Sequence, residues 1–282
     1  MILEKIIKKA SLILKNNNIK SHELDAEIIL SNIMGVTKEF IITNNNINIS
    51  HNTIKEYDKA IDRRTKNEPV AYIVGKKEFW SKDFKVSKST LVPRPETELL
   101  IYKIINYFKN KSINILDIGT GSGCILLSIL QEIKNSRGIG IDISSEAIKV
   151  AKFNANKLSL KNRSRFKVFD LTKFNEGKYD LIVSNPPYIP TKEIKNLSKD
   201  ITNFEPKEAL EGGIDGLDLI KKVIYKSKHL LKNNGLLAIE IGHQQYRTIS
   251  TILCRNGFRE MGVEYDYNRN IRCIISTKTR FF

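Results

Sequence analysis

Apolar residues recur every three or four positions at the start of the chain: Leu3, Ile6, Ile7, Ala10, Ile13 and Leu14, then Leu24, Ile28, Ile29 and Ile33. That period puts them on one face of a helix and predicts a small helical bundle. Helix signals bracket the stripe. Ser21 stands at a cap position, Glu23 and Asp25 follow in the first turn, and Gly35 is the stop; Ser50 opens a later helix that runs to the basic pair Arg63-Arg64. Thr43-Asn44-Asn45-Asn46 reads as a loop between them. After Glu68-Pro69 come short β-prone pieces, Val70 to Val74 and Asp83 to Val86, which predict a linker with a hairpin. From Glu96 onward strands alternate with helices: strand Ile113 to Ile118, helix Cys124 to Ile133, strand Gly138 to Ile143, helix Ser145 to Asn156, strands Arg165 to Phe169 and Leu181 to Ser184, helix Leu217 to Leu231, and strand Leu236 to Ile241. Such alternation predicts an α/β domain with a doubly wound, mostly parallel sheet. The pieces Phe258 to Val263 and Arg272 to Ile275 predict an antiparallel hairpin at one sheet edge. The expected division is a helical domain over 1–70, a linker with a β-hairpin over 71–95 and the α/β domain over 96–282.

The first strand runs straight into Gly119-Thr120-Gly121-Ser122-Gly123 and then a helix. In an open α/β sheet, ligands bind at the carboxyl ends of strands, and glycines there let a ligand approach the backbone with no Cβ in the way. The third glycine comes one residue earlier than in the dinucleotide fingerprint, so a bulky pyrophosphate is not the natural tenant. The next strand ends at Asp142, nineteen residues after Gly123, where a carboxylate can accept hydrogen bonds from both hydroxyls of a ribose. The glycine turn and Asp142 together describe a nucleoside-binding crevice. Asp117, inside the first strand, reads as a brace for the turn or a contact to the rest of the ligand, and not as a catalytic base.

The fourth strand leads into Asn185-Pro186-Pro187-Tyr188. Consecutive prolines stiffen the chain and remove backbone donors, which fixes the carbonyls of Asn185 and Pro186 in space. A planar NH2 group can give one hydrogen to the Asn185 side-chain oxygen and the other to the Pro186 carbonyl, leaving its lone pair aimed at an electrophilic methyl group. The Tyr188 ring can pack flat beside that nitrogen. As a purely structural feature the same tetrapeptide would be a Pro-Pro turn with a packing tyrosine.

Composition narrows the classes. The 282 residues are 41% hydrophobic and 28% charged, ordinary for a folded globular chain. No window approaches the roughly 18 apolar residues of a membrane span, and the first residues lack the order of a signal peptide, so a cytoplasmic protein is expected. Cys124, Cys254 and Cys273 lie far apart in apolar stretches with no C-x-x-C pair, which reads as three small buried hydrophobes and no metal site. Forty-seven Lys and Arg against 31 Asp and Glu give a net charge of +16, spread along the whole chain. That charge fits an acidic partner, and equally a drift toward Ile, Lys and Asn without a binding role.

The Asn-Pro-Pro-Tyr turn, the segments Glu68-Pro69-Val70-Ala71-Tyr72 and Arg94-Pro95-Glu96-Thr97-Glu98, and Phe204-Glu205-Pro206 occur together. In this the chain resembles, over essentially its whole length, the protein-glutamine methyltransferases that modify class 1 peptide-chain release factors. The resemblance implies a class I, Rossmann-like methyltransferase domain with an antiparallel edge, preceded by a helical domain that helps recognise the release factor. It implies S-adenosylmethionine as cofactor, held by Gly119, Thr120, Gly121, Ser122, Gly123, Asp142 and Asn185, with Leu171 offering the adenine apolar packing without ring stacking. It further implies that Asn185, Pro186, Pro187 and Tyr188 hold the glutamine amide of the release factor's GGQ loop, with Asn185, Pro186 and Tyr188 the catalytic residues. No metal, membrane or direct nucleic-acid substrate is implied. Two other readings stay open on the residues alone: a nucleic-acid amino-methyltransferase, since the exocyclic amine of adenine is also a planar NH2, and a non-catalytic RNA- or ribosome-binding module that uses the +16 charge.

Overall fold

The opening apolar stripe folds into α1 (Leu3–Asn16), which buries Leu3, Ile6, Ala10 and Leu14. It is followed by α2 (His22–Met34), α3 (Lys38–Thr43), α4 (His51–Thr65) and α5 (Val70–Val74). The computed structural model describes residues 2–279, which separate into two units, 2–76 with 198–204 and 77–197 with 205–279. The helical unit is held together by Leu3, Leu14, Ile29, Leu30, Tyr57 and Ile61, and the Tyr57 hydroxyl donates to the Ala26 carbonyl at 2.9 Å. Ser50 caps α4 by accepting from the Thr53 N–H, and Gly35 ends α2 in the left-handed region. Ser21 does not cap α2 as expected. Its hydroxyl instead donates to Asp25 Oδ2 at 2.8 Å, the oxygen that also receives Arg64 Nε at 2.7 Å in a buried ion pair.

The β-prone piece Val70 to Val74 is a helix, not a strand. Pro69 sets φ at −55° just ahead of the first turn, its carbonyl accepts from the N–H groups of Tyr72 and Ile73, and Gly75 closes the turn at φ 74°. Val70, Ile73 and Val74 pack on the helical core, and this burial overrides their β propensity. The hairpin therefore lies later than expected, as β1 (Lys76–Phe79) and β2 (Lys82–Lys85). Trp80 and Ser81 make its two-residue turn at φ 49° and 55°, the primed geometry that suits the twist of paired strands.

The second unit continues with α6 (Thr97–Tyr107), β3 (Asn114–Ile118), α7 (Cys124–Glu132), β4 (Arg137–Asp142), α8 (Ser145–Lys157), β5 (Ser164–Val168) and β6 (Tyr179–Ser184). The short α9 (Lys199–Phe204) groups with the helical unit, and then come α10 (Asp218–Leu230), β7 (Leu231–Glu240), α11 (Tyr246–Arg255), β8 (Phe258–Tyr265) and β9 (Ile271–Lys278). Helices α6 and α11 have no counterpart in the sequence reading. The strands stand in the order β5-β4-β3-β6-β7-β9-β8; pairing is parallel from β5 to β7, and β9 runs antiparallel to both its neighbours. Both faces are covered, which is why the central strands read as unbroken apolar runs. Ile115, Leu181 and Val183 pack with α6, α7 and α8 on one side, while Leu116, Ile118 and Ile182 pack with α10 and α11 on the other. Cys124 and Cys273 are buried as expected, but Cys254 is exposed, because the buried positions of α11 are Ile249 and Leu253.

Removing one partner of a buried ion pair strands the other charge. Asp25→Ala is expected to weaken the helical unit by about 3 kcal/mol, read as faster amide hydrogen exchange throughout α2 and α4. Exchange unchanged from wild type would show that the pair does not hold those helices.

Candidate active site

The chain steps outward from β3 to β4 to β5 and then returns to place β6 on the other side of β3. At such a switch the loops that leave two adjacent strands diverge and open a crevice. A cavity of about 720 Å³ lies there, walled by Gly119 to Ser122 after β3, Asp142 to Ser144 after β4, Phe169 to Thr172 after β5, and Asn185 and Pro187 after β6. The glycine turn is pinned at both ends. Gly119 and Thr120 donate their N–H groups to the Ile141 carbonyl, and Gly121 N–H reaches Asp142 Oδ2 at 2.9 Å. Gly119 and Gly121 have φ of 71° and 53°, and a Cβ on either would meet no protein atom within 4 Å. The backbone thus faces open space, where a ligand can lie against it.

Asp142 also accepts the Ser144 N–H on its other oxygen at 2.9 Å, so its carboxylate is fixed while each oxygen keeps a lone pair for a ligand. Asp117 is fully buried and braces the turn through the Thr120 hydroxyl at 2.6 Å. Burial pushes its carboxyl up to about 7, although the Thr120 hydrogen bond pulls the other way. Cys124 lines the cavity too, and burial pushes its thiol up to about 12, so it stays protonated.

The turn after β6 rests on a bed that the sequence did not announce. A Cβ on Gly212 would come within 2.7 Å of the Pro187 carbonyl oxygen, and one on Gly216 within 2.3 Å of that of Tyr188. Gln245 Nε2 donates to the Tyr188 carbonyl at 2.9 Å, the Gly212 N–H donates to the Ile189 carbonyl, and the Ile189 N–H donates to the Leu210 carbonyl. The side chains are tied as firmly. Asn185 Nδ2 donates to Thr97 Oγ1 at 3.2 Å, Thr97 Oγ1 donates to Glu240 Oε2 at 2.6 Å, and the Tyr188 hydroxyl donates to Glu240 Oε1 at 3.3 Å. Arg272 Nη2 donates to the Tyr188 oxygen at 3.0 Å, with its guanidinium 5.6 Å from the ring centre. Burial raises the Glu240 carboxyl above its ordinary range, opposed by its bond from Thr97 and the charge of Arg272.

Of the expected residues, the cavity wall brings together Gly119, Thr120, Gly121, Ser122, Asp142, Leu171, Asn185 and Pro187. Gly123 is not among them; it caps α7 from beneath, where a Cβ would press on Ala151, Leu127 and Phe166 at 3.2 Å. Pro186 is buried and Tyr188 half-buried, both outside the wall. Phe169 and Ile143, which the sequence reading passed over, line the cavity near Leu171, so an aromatic is present two residues before the position expected to lack one. Arg94, also in the wall, pairs with the buried Glu205, whose other oxygen accepts the Val92 N–H at 3.2 Å. The segments around Arg94 and Glu205, far apart in the sequence, are thus joined in the fold.

The fold and the site define a methyltransferase. A methyltransferase-domain family model matches residues 109–256, and the model of the PrmC N-terminal domain matches residues 5–75. Among solved structures, a methyltransferase from Pyrococcus furiosus superposes with a TM-score of 0.54 at 18% identity, covering 70% of this chain and 89% of that one. The ribosomal protein L11 methylase from Lactobacillus delbrueckii subsp. bulgaricus gives a TM-score of 0.50 at 21% identity, covering 66% and 81%; both likenesses concern the fold alone. Relatives in sequence reach across nearly the whole length. The release factor glutamine methyltransferase of Clostridium acetobutylicum is 38% identical over 274 residues, 96% of each chain, and that of Buchnera aphidicola subsp. Schizaphis graminum 40% identical over 276, 98% of each. The chain belongs to the release factor glutamine methyltransferase family.

The elevated Asp117 carboxyl has a thermodynamic signature. Because burial pushes the folded carboxyl up to about 7 from 3.8, its contribution to stability is complete in acid and is lost progressively as pH rises from 3.8 to about 7. Asp117→Asn cannot ionise, so its melting temperature relative to wild type should rise between pH 5 and pH 8 by at least about 3 °C, the shift that 1 kcal/mol produces in a domain of this size. A difference independent of pH, measured by calorimetry, would show that Asp117 does not ionise in this range.

Proposed function

We propose that this enzyme transfers a methyl group from S-adenosylmethionine to the side-chain amide nitrogen of the glutamine in the GGQ loop of class 1 peptide-chain release factors. One observation carries the reading: Asn185, in a rigid Pro-Pro turn, lines the same crevice as the glycine turn and Asp142. The crevice suits the cofactor. Its volume falls in the range of small-molecule sites, the open faces of Gly119 and Gly121 leave room against the backbone, Asp142 offers acceptors for ribose hydroxyls, and Ile143, Phe169 and Leu171 supply an apolar wall for adenine. When bound, S-adenosylmethionine supplies a methyl group activated by a cationic sulfur.

The chain's own residues supply alignment. Asn185 Oδ1 accepts one hydrogen of the substrate amide and the Pro186 carbonyl accepts the other, which turns the nitrogen lone pair toward the methyl donor. Tyr188, immobilised by Glu240 and Arg272, packs beside the planar group. No residue needs to remove a proton first, since the amide nitrogen becomes strongly acidic as it is alkylated and can then lose its proton to water. Residues 1–70 act in recognising the body of the release factor, which orients the reacting amide through remote contacts. Among the described residues no helix is long and apolar enough to cross a membrane, and the substrate places the reaction in the cytoplasm.

The reading is supported by the names of the relatives and tested by tritiated methyl transfer offered in parallel to a release factor, to a short peptide with the same glutamine, and to single-stranded and duplex DNA. Label should enter the release factor much faster than the peptide, and vanish when the acceptor glutamine is replaced by alanine. Label in adenine and none in protein would replace this reading with the nucleic-acid one. Asn185→Ala should lower turnover by roughly 10² to 10³, the usual loss for one preorganised hydrogen-bond partner; turnover within threefold of wild type would remove Asn185 from its role. Asp142→Ala should weaken S-adenosylmethionine binding by about 1.5 to 3 kcal/mol, the range for hydrogen bonds to a charged group, and an unchanged affinity by calorimetry would exclude the ribose contact.

A further inference from the structure

The amide of Asn185 has two ends of nearly the same shape, and the reaction proposed above uses only one. A substrate NH2 is a donor, so Asn185 must turn its oxygen to the acceptor and keep its nitrogen away; reversed, two NH2 groups would confront each other. Nothing intrinsic to asparagine selects the rotamer. The selection has to come from whatever binds the other end.

That other end meets the Thr97 hydroxyl at 3.2 Å. Thr97 is 2% exposed, and a hydroxyl has a single hydrogen to give. Its oxygen lies 2.6 Å from Oε2 of Glu240, itself 1% exposed. The Thr97 hydroxyl donates to Glu240, so its one hydrogen is committed there and the face that Thr97 turns to Asn185 carries lone pairs. Lone pairs accept from Nδ2 and repel Oδ1. The second oxygen of Glu240 takes the Tyr188 hydroxyl, which leaves the Tyr188 oxygen to accept from Arg272. Two hydroxyl donors converge on Glu240, and with the Arg272 charge they oppose the burial that raises its carboxyl.

We infer that Thr97 and Glu240 are positioning residues of this enzyme: the buried Glu240 carboxylate orients the Thr97 hydroxyl, and Thr97 in turn fixes the Asn185 amide with its oxygen free for the substrate nitrogen. The same carboxylate holds Tyr188, so one buried acid sets both ends of the Asn-Pro-Pro-Tyr turn. Thr97 begins α6 and Glu240 ends β7; neither element belongs to the glycine turn or to the loop after β6, so the relay couples the turn to the rigid body of the sheet. The inference rests on the role proposed for Asn185, and its test separates the two.

Turnover at saturating S-adenosylmethionine and the cofactor dissociation constant are measured for Thr97→Val, Thr97→Ser, Glu240→Gln, the Thr97→Val/Glu240→Gln double variant and Asn185→Ala, with release factor as substrate. Thr97→Val keeps the shape and loses the hydroxyl, and should lower kcat about 10- to 50-fold, the worth of a buried hydrogen bond, with cofactor affinity within about twofold of wild type. Thr97→Ser restores the hydroxyl and should recover most of that loss. In Glu240→Gln the amide can donate to Thr97 and so reverse the relay; kcat falls, and the double variant is no slower than the slower single one, because both act through the same bond. Full turnover in Thr97→Val alongside an inactive Asn185→Ala overturns the relay and leaves the role of Asn185 standing. Effects of Thr97→Val and Glu240→Gln that multiply, or a loss in Thr97→Val confined to cofactor affinity, overturn it as well. Should Thr97→Val not fold, Glu240→Gln decides alone: kcat at the wild-type value overturns the inference. Wild-type turnover in Asn185→Ala overturns the underlying reading itself.

Discussion

Ile118 and Ser184 face each other across the parallel pairing of β3 with β6, and the Ser184 hydroxyl adds a bond to the Ile118 carbonyl at 2.8 Å. The residue after each is Gly119 on one side and Asn185 on the other, so this pairing sets the glycine turn beside the Asn-Pro-Pro-Tyr turn at one cavity. Both strands are buried on both faces, so a slip in register would cost a large apolar area. The relative position of the two turns is therefore set by the core, before any ligand binds. The reaction proposed above depends on this fixed placement, since there the protein contributes alignment and the methyl donor the driving force.

Two buried acids serve that alignment in different ways. Asp117 lies beneath the glycine turn and Glu240 beneath the Asn-Pro-Pro-Tyr turn, and burial raises the carboxyl of each. Each receives a threonine hydroxyl at 2.6 Å, from Thr120 and Thr97 respectively. A buried carboxyl without such donors would be costly, and with them it becomes a stiff anchor for a loop. The glycines at 212 and 216 complete the support from below by letting backbone approach the carbonyls of Pro187 and Tyr188.

Much of this was legible in the sequence, and the boundary has physical causes. The alternation of apolar strand runs with helical segments located β3 to β7 and most of their helices, because strands buried on both faces are apolar throughout. The glycine turn, Asp142 and Asn185 were legible because ligand sites gather at strand ends. Val70 to Val74 misled, since three β-branched residues in five suggest a strand, while Pro69, Gly75 and burial made a helix. Ser21 misled because a cap residue has a choice of acceptors, and Asp25 lay within reach. Thr97, Glu240, Arg272 and Gln245, which hold the turn after β6, were invisible: Thr97, Arg272 and the nearby pair Glu240 and Gln245 lie far from that turn in the chain, and only the fold brings them to it. Phe169 was overlooked because its side matters only once β5 has a register against β4.

The central claim is that Asn185 and Pro186 form a preset pair of acceptors for a planar amide beside the cofactor crevice. A crystal structure of the protein with S-adenosylhomocysteine and a release-factor peptide containing the acceptor glutamine tests it most directly. The account predicts the glutamine nitrogen within about 2.7 to 3.2 Å of both Asn185 Oδ1 and the Pro186 carbonyl, with Asn185 Nδ2 still on Thr97. A glutamine amide bound elsewhere, or Asn185 turned so that its nitrogen faces the substrate, would contradict it.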